Sequence, residues 1–294
     1  MNKVGFIGVG IMGKSMVRNL MKAGFELHIY ARTKSKVEDV IGEGAQFHES
    51  IKDCVQDCDA VITIVGFPQD VEEVYFDEGN ILDSAKEGAY LIDMTTTSPQ
   101  IAEKIYEEGT KRGFHVMDAP VTGGDTGAKA GTLSILVGGE KEDYEACMPL
   151  FEAMGTNINY QGKAGCGQHC KLANQIMIAG TLSGVYEALT YAKEQGLDPE
   201  VFMKSVATGA AGSKQLDTFG PKILKDDYAP GFFMKHFIKD MKLALIEANR
   251  KGLSLDVLSM VLANYEELEQ EGYGDLGTQA LMKFYDEEHR NTEE

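Results

Sequence analysis

The feature that constrains this chain most is a glycine pattern close to its start. An apolar run over 4–9 leads into Gly8-Val9-Gly10-Ile11-Met12-Gly13, and over 14–23 apolar side chains recur at helical spacing until Gly24 stops them. A strand, a tight glycine turn and a helix in immediate succession leave few options. Gly8 permits the turn, Gly10 lets backbone approach a bound group, and Gly13 allows the helix to lie close to the strand. The helix N-terminus adds unpaired amides and a partial positive charge, the environment a pyrophosphate needs. Gly8, Gly10, Ile11, Met12 and Gly13 are therefore expected to hold a dinucleotide.

The pattern downstream extends this reading. Further strands are predicted over 26–30, 60–65, 90–93, 114–119 and 133–137, with helical stretches at 34–42, from 71 to 75 and over 98–112. Ser98 and Pro99 mark the start of the last of these, as N-cap and first helical residue. Strands alternating with helices predict a Rossmann-type, doubly wound parallel sheet covered on both faces. Near residue 160 the character changes. Helices are predicted over 171–195, 199–207, 234–251, 254–270 and 277–287, with no convincing strand after Gly167. With 294 residues, two domains are expected: a dinucleotide-binding domain over 1–163 and an all-helical substrate and dimerisation domain over 164–294. The tail 286–294 is expected to fray.

Charge excludes several classes of partner. Lys and Arg number 28 against 46 Asp and Glu, a net charge of -18. A field of that sign repels nucleic acid and anionic membranes but leaves room for a small anion in a locally cationic cleft. No apolar run approaches the roughly 20 residues that span a bilayer, and nothing at the start reads as a signal peptide, so a cytoplasmic protein is expected. The five cysteines are expected to be free thiols. Cys54/Cys58 and Cys166/Cys170 have helical spacing, yet neither pair has further ligands nearby, so no metal is expected.

Which dinucleotide is bound turns on the end of the second predicted strand. A protein that binds NAD places Asp or Glu there for the ribose 2′-hydroxyl. This chain reads Tyr30-Ala31-Arg32-Thr33-Lys34, with no acid until Glu38. Arg32 can pair with a 2′-phosphate and Thr33 can donate its hydroxyl. NADP (as NADPH) is thus the expected cofactor, with NAD the weaker alternative.

Other segments fit no generic expectation. Val65-Gly66-Phe67-Pro68 and Asp93-Met94-Thr95-Thr96-Thr97-Ser98-Pro99 follow predicted strands, and Asp118-Ala119-Pro120-Val121-Thr122-Gly123-Gly124 reads as a glycine-rich turn. The segment from Gly162 to Gln175 opens the first long helix and contains Gly165-Cys166-Gly167-Gln168-His169-Cys170-Lys171. With Lys239-Asp240, these segments resemble the β-hydroxyacid dehydrogenase family, which includes 3-hydroxyisobutyrate dehydrogenases, tartronate semialdehyde reductases and succinic semialdehyde reductases. The resemblance runs in order and spacing from Gly8 to about Ala248.

The resemblance implies an NADP(H)-dependent oxidoreductase that interconverts a small 3-hydroxy acid and its semialdehyde or keto acid. It makes Lys171 the general acid/base and Thr122-Gly123-Gly124 the loop for the substrate's anion, with Thr122 where the family usually has serine. Val65, Gly66, Phe67 and Thr96 line the nicotinamide-ribose side. Lys239 closes over the cofactor beside Asp240. The family usually has asparagine four residues after its lysine. Here that position is Gln175, preceded by Asn174, and both are expected beside the substrate. Apolar positions in the helical half predict a homodimer or homotetramer. Two other readings are an imine reductase-like enzyme, against which Lys171 argues, and a catalytically silent NADP-binding protein.

Overall fold

A computed structural model describes residues 1–285; the tail expected to fray, with the last residues of the 277–287 helix, lies outside the described residues. The chain forms two compact units, Met1–Lys171 and a second that begins at Leu172. This division falls within one long helix, Cys166–Glu194.

The first unit is built on one sheet. Its strands are β1 (Lys3–Ile7), β2 (Glu26–Tyr30), β3 (Gln46–Phe47), β4 (Ala60–Thr63), β5 (Tyr90–Asp93), β6 (His115–Asp118), β7 (Val121–Thr122), β8 (Leu133–Gly139) and β9 (Gly155–Gly162). They lie in the order β3-β2-β1-β4-β5-β6-β8-β7, with β9 beside β8. The first six are parallel, so the order reverses between β1 and β4, where a doubly wound sheet opens its crevice. The parallel expectation fails beyond β6. Strand β8 runs antiparallel to β6 and β7, because the chain returns through a short loop and the small helix Gly124–Ala130 rather than a full crossover.

Consecutive strand residues point to opposite faces, and the core follows. Phe6, Ile62, Ile92 and Met117 join Met16, Val17 and Leu20 of helix Ile11–Lys22 on one face. Their neighbours Ile7, Val61, Leu91 and Val116 join Val71 and Tyr75 of helix Pro68–Phe76 and Ile105 of helix Pro99–Lys111 on the other. A sheet buried on both faces explains why these strands read as continuous apolar runs.

The second unit is helical in its described residues. After the long helix come Pro199–Ala207, Lys214–Ile223, Met234–Arg250, Asp256–Leu268 and the 3₁₀ segment Thr278–Tyr285. Leu182, Tyr186, Phe237, Met241, Tyr265 and Leu268 form its centre. Among the described residues, no helix is long and apolar enough to cross a membrane.

Candidate active site

The loops that carry most of the sequence-predicted residues of the first unit leave the carboxyl ends of β1, β2, β4, β5 and β6, the edge where open parallel sheets bind ligands. The glycine turn comes first. Gly8 has φ +98°, and a side chain there would collide with the Ile64 carbonyl oxygen. One at Gly13 would collide with the Gly8 carbonyl oxygen. Both glycines are required by the fold. Gly10 is different: it caps helix Ile11–Lys22 in extended backbone, and among the described residues no atom beyond its own chain neighbours lies within 4 Å of where its Cβ would be. The helix's first turn carries no acid and its N-cap has no side-chain bond. Ile11 is exposed and Met12 half-buried at this end. A bare glycine in front of uncapped amides is a cradle that fits a pyrophosphate.

Beyond β2, Arg32, Thr33 and Lys34 are all exposed. Two of the acids that follow are committed elsewhere, since Asp39 and Glu43 bind Arg18 and Asp39 also binds Lys14. An acid nevertheless reaches Arg32. Asp70 Oδ1 accepts from Arg32 Nη2 at 2.6 Å, while its Oδ2 accepts from the Phe67 amide at 2.9 Å. Asp70 lies 38 residues from Arg32. No local pattern could have paired them.

The loops after β4 and β5 hang on one buried carboxylate. Asp93 Oδ1 accepts from Thr63 Oγ1 at 2.8 Å and from the Thr95 amide at 3.1 Å. Thr95 Oγ1 in turn accepts from the Val65 amide at 3.0 Å. Asp93 Oδ2 is buried and has no hydrogen-bond partner among the described residues, and burial pushes this carboxyl up to about 6. Gly66, Val65 and Thr96 are half-buried here, and Phe67 is exposed.

Gln168 ties that loop to the start of the long helix. Fully buried, it donates from Nε2 to the Thr95 carbonyl at 2.7 Å and accepts at Oε1 from the Thr97 amide at 3.0 Å. Asp118, at the end of β6, accepts from the amides of Gly165 and Gln168, both at 2.8 Å, and so caps the helix from the sheet. Gly138 and Gly167 admit this approach, since a side chain at either would strike Asp118. Lys171 lies one turn past Gln168 and is 8% exposed. In the turn after β7, Gly123 and Gly124 adopt φ of +131° and +65°, next to half-buried Thr122. Asp118 and Asp93 stood within the quoted motifs without an assigned role. Gln168 stood in the quoted Gly165–Lys171 segment without a role as well, because its partners lie 71 and 73 residues away.

The second unit brings together Asn174, Gln175, Lys239 and Asp240. Gln175 Nε2 donates to Asp240 Oδ2 at 2.6 Å, and its Oε1 accepts from Asn174 Nδ2 at 2.8 Å. Lys239 Nζ lies 3.0 Å from Asp240 Oδ1. Gln175 and Asp240 are each 1% exposed. Both ends of the Gln175 amide, expected beside the substrate, are engaged within the protein here. The extra methylene lets it reach a buried carboxylate that needs donors. The cysteine pairs are occupied differently. Cys54 and Cys58 are buried and donate to the carbonyls of His28 and Cys54, and burial pushes the Cys58 thiol up to about 12.

Comparison with known proteins agrees with this geometry. Residues 3–162 match the NAD binding domain of 6-phosphogluconate dehydrogenase, and residues 165–285 match the NAD-binding domain of NADP-dependent 3-hydroxyisobutyrate dehydrogenase. The chain is 50% identical to the uncharacterized oxidoreductase YkwC of Bacillus subtilis, over 96% of this chain and 98% of that one. It is 37% identical to the 2-hydroxy-3-oxopropionate reductase of Escherichia coli, with 86% of each chain covered. The Mycobacterium tuberculosis 3-hydroxyisobutyrate dehydrogenase solved with L-serine superposes at a TM-score of 0.87 and 26% identity, covering 96% of this chain and 98% of that chain. The glycine turn, the strand order and these full-length similarities place the chain in the β-hydroxyacid dehydrogenase family, as an NAD(P)-dependent oxidoreductase of the 3-hydroxyacid dehydrogenase type.

Proposed function

We propose that the protein uses NADP(H) to interconvert a short 3-hydroxy acid and its semialdehyde or keto acid, with Lys171 as general acid/base. The observation that carries this reading is the fixing of the helix start that bears Lys171. Asp118 caps it, and Gln168, one turn earlier, bonds the Thr95–Thr97 loop. A proton donor on so constrained a turn is held in place before any substrate arrives.

A bound nicotinamide supplies or accepts the hydride. The Lys171 ammonium gives a proton to the substrate's carbonyl oxygen in reduction, the neutral Lys171 amine takes one from the hydroxyl in oxidation, and the ammonium's charge favours the alkoxide-like oxygen between them. Thr122, Gly123 and Gly124 hold the substrate's carboxylate through a hydroxyl and converging amides. Gly8, Gly10, Ile11, Met12 and Gly13 hold the pyrophosphate, and Arg32 and Thr33 the 2′-phosphate. Val65, Gly66, Phe67 and Thr96 border the nicotinamide ribose. Within the second unit Lys239 is steadied by Asp240, and Asp240 by Gln175. Asn174 holds Gln175 with its Nδ2 and offers its amide oxygen to the substrate. The functional form is a cytoplasmic homodimer or homotetramer.

A panel of short aldehydes and keto acids (glyoxylate, succinic semialdehyde, methylmalonate semialdehyde and tartronate semialdehyde among them) assayed with NADPH tests this directly. Oxidation of NADPH by at least one carboxylated aldehyde is expected. Reduction of imines alone would overturn the reading.

A further inference from the structure

The end of β2 reads as a site for a 2′-phosphate because Arg32 stands there and no acid follows until Glu38. The fold supplies one from elsewhere. Asp70 sits in the first turn of helix Pro68–Phe76, where its Oδ2 accepts from the Phe67 amide, and this fixes the carboxylate. Its Oδ1 faces Arg32 Nη2 at 2.6 Å, and its side chain is 16% exposed against 68% for Arg32. The anchored partner is thus Asp70, and the exposed guanidinium rests on it.

We propose that Asp70 sets how strongly the chain discriminates between NADP and NAD. This rests on the reading of Arg32 as the residue that meets the adenosine ribose. A guanidinium has five N–H donors in a planar fork, and the bond to Asp70 takes one of them. Any phosphate that docks on the remaining donors lies next to a fixed negative charge. It is repelled, and it competes with Asp70 for the same cation. A neutral 2′-hydroxyl meets no such repulsion, and it can donate to the carboxylate as it does to the acid that NAD-binding folds usually carry at the end of the second strand. Arg32 and Asp70 together form a two-sided reader. The cation favours a 2′-phosphate, the carboxylate favours a 2′-hydroxyl, and the margin for NADP is smaller than Arg32 alone would give.

The test is a double-mutant cycle on the full chain, with NADPH and NADH binding followed by nucleotide fluorescence in wild type, Asp70→Asn, Arg32→Ala and the double variant. Asparagine keeps an acceptor for the Phe67 amide and removes the charge. Asp70→Asn should bind NADPH about three- to tenfold more tightly and NADH equally or more weakly, an effect that shrinks at high salt. In the Arg32→Ala background the same substitution should no longer tighten NADPH to that extent, which a purely structural role for Asp70 does not predict. Unchanged nucleotide preference in Asp70→Asn, with NADPH binding lost in Arg32→Ala, would overturn the inference and leave the reading of Arg32 standing. No effect of Arg32→Ala on NADPH would overturn both. Should Asp70→Asn unfold, Asp70→Ser keeps a hydroxyl at the position and answers the same question.

Discussion

A lysine on a fixed helical turn makes a sharp residue-scale test. Lys171→Ala should lower turnover by about two to four decades, the usual contribution of a positioned proton donor, while NADPH still binds. Lys171→Arg should fail as well, because a guanidinium does not readily give up its proton. Steady-state rates beside a fluorescence titration separate the two effects, and substantial activity in both variants would remove Lys171 from the reaction. Asp93 offers a test of a different kind. Burial raises its carboxyl from 3.8 to about 6. The folded state therefore holds this proton more tightly than the unfolded chain does. That stabilisation is complete below about pH 4 and is lost as pH rises through about 6, a swing of up to about 3 kcal/mol. Asp93→Asn cannot titrate, so its stability relative to wild type should improve between pH 4 and pH 7. Denaturant melts across that range would show it; a difference independent of pH would mean that Asp93 is not the group responsible.

At the scale of elements, legibility followed the pattern of burial. The strands of the parallel core were readable because both of their faces are covered and their residues are continuously apolar. Strand β9 was missed since it reads Gly-Thr-Asn-Ile-Asn-Tyr-Gln-Gly and buries little. Helix Lys214–Ile223 was missed because Gly220 and Pro221 read as a stop, although Ser213 caps its start by accepting from the Leu216 amide. The stretch over 34–42 was expected as one helix but breaks into Lys34–Lys36 and Glu38–Gly42 around Val37, which is wholly buried. In the candidate site, the glycines and Lys171 could be found from motifs, whereas Asp70 and Gln168 act through partners 38 and 71 or more residues away. The Gln168 clamp can be tested as an element. Gln168→Ala leaves the Thr97 amide and the Thr95 carbonyl buried without it, which should cost about 1–3 kcal/mol in stability and weaken NADPH binding. Unchanged melting and unchanged affinity would show that the loop holds its shape without the clamp.

For the whole molecule, charge and exposed apolar surface set the expectations. A net charge of -18 means that an anionic substrate is drawn in only by local cations, so KM should depend on ionic strength more than kcat does. The second unit exposes Met177, Tyr191, Val201, Val257 and Met260, each by half or more of its surface. Isolated apolar residues at the surface are ordinary, but this many on one helical unit favours self-association. Light scattering at micromolar concentration should report a dimer or tetramer, and a monomer would contradict the proposed assembly.

The three glycines of the first turn answer to different masters. Gly8 and Gly13 are fixed by collisions with the protein's own carbonyl oxygens, and Gly10 by no such collision among the described residues. In a descendant that had abandoned redox chemistry, selection for folding would still preserve the outer two. The middle one would be released and would drift first. A lineage with only Gly10 replaced would be a fossil of this site inside a fold that is still sound.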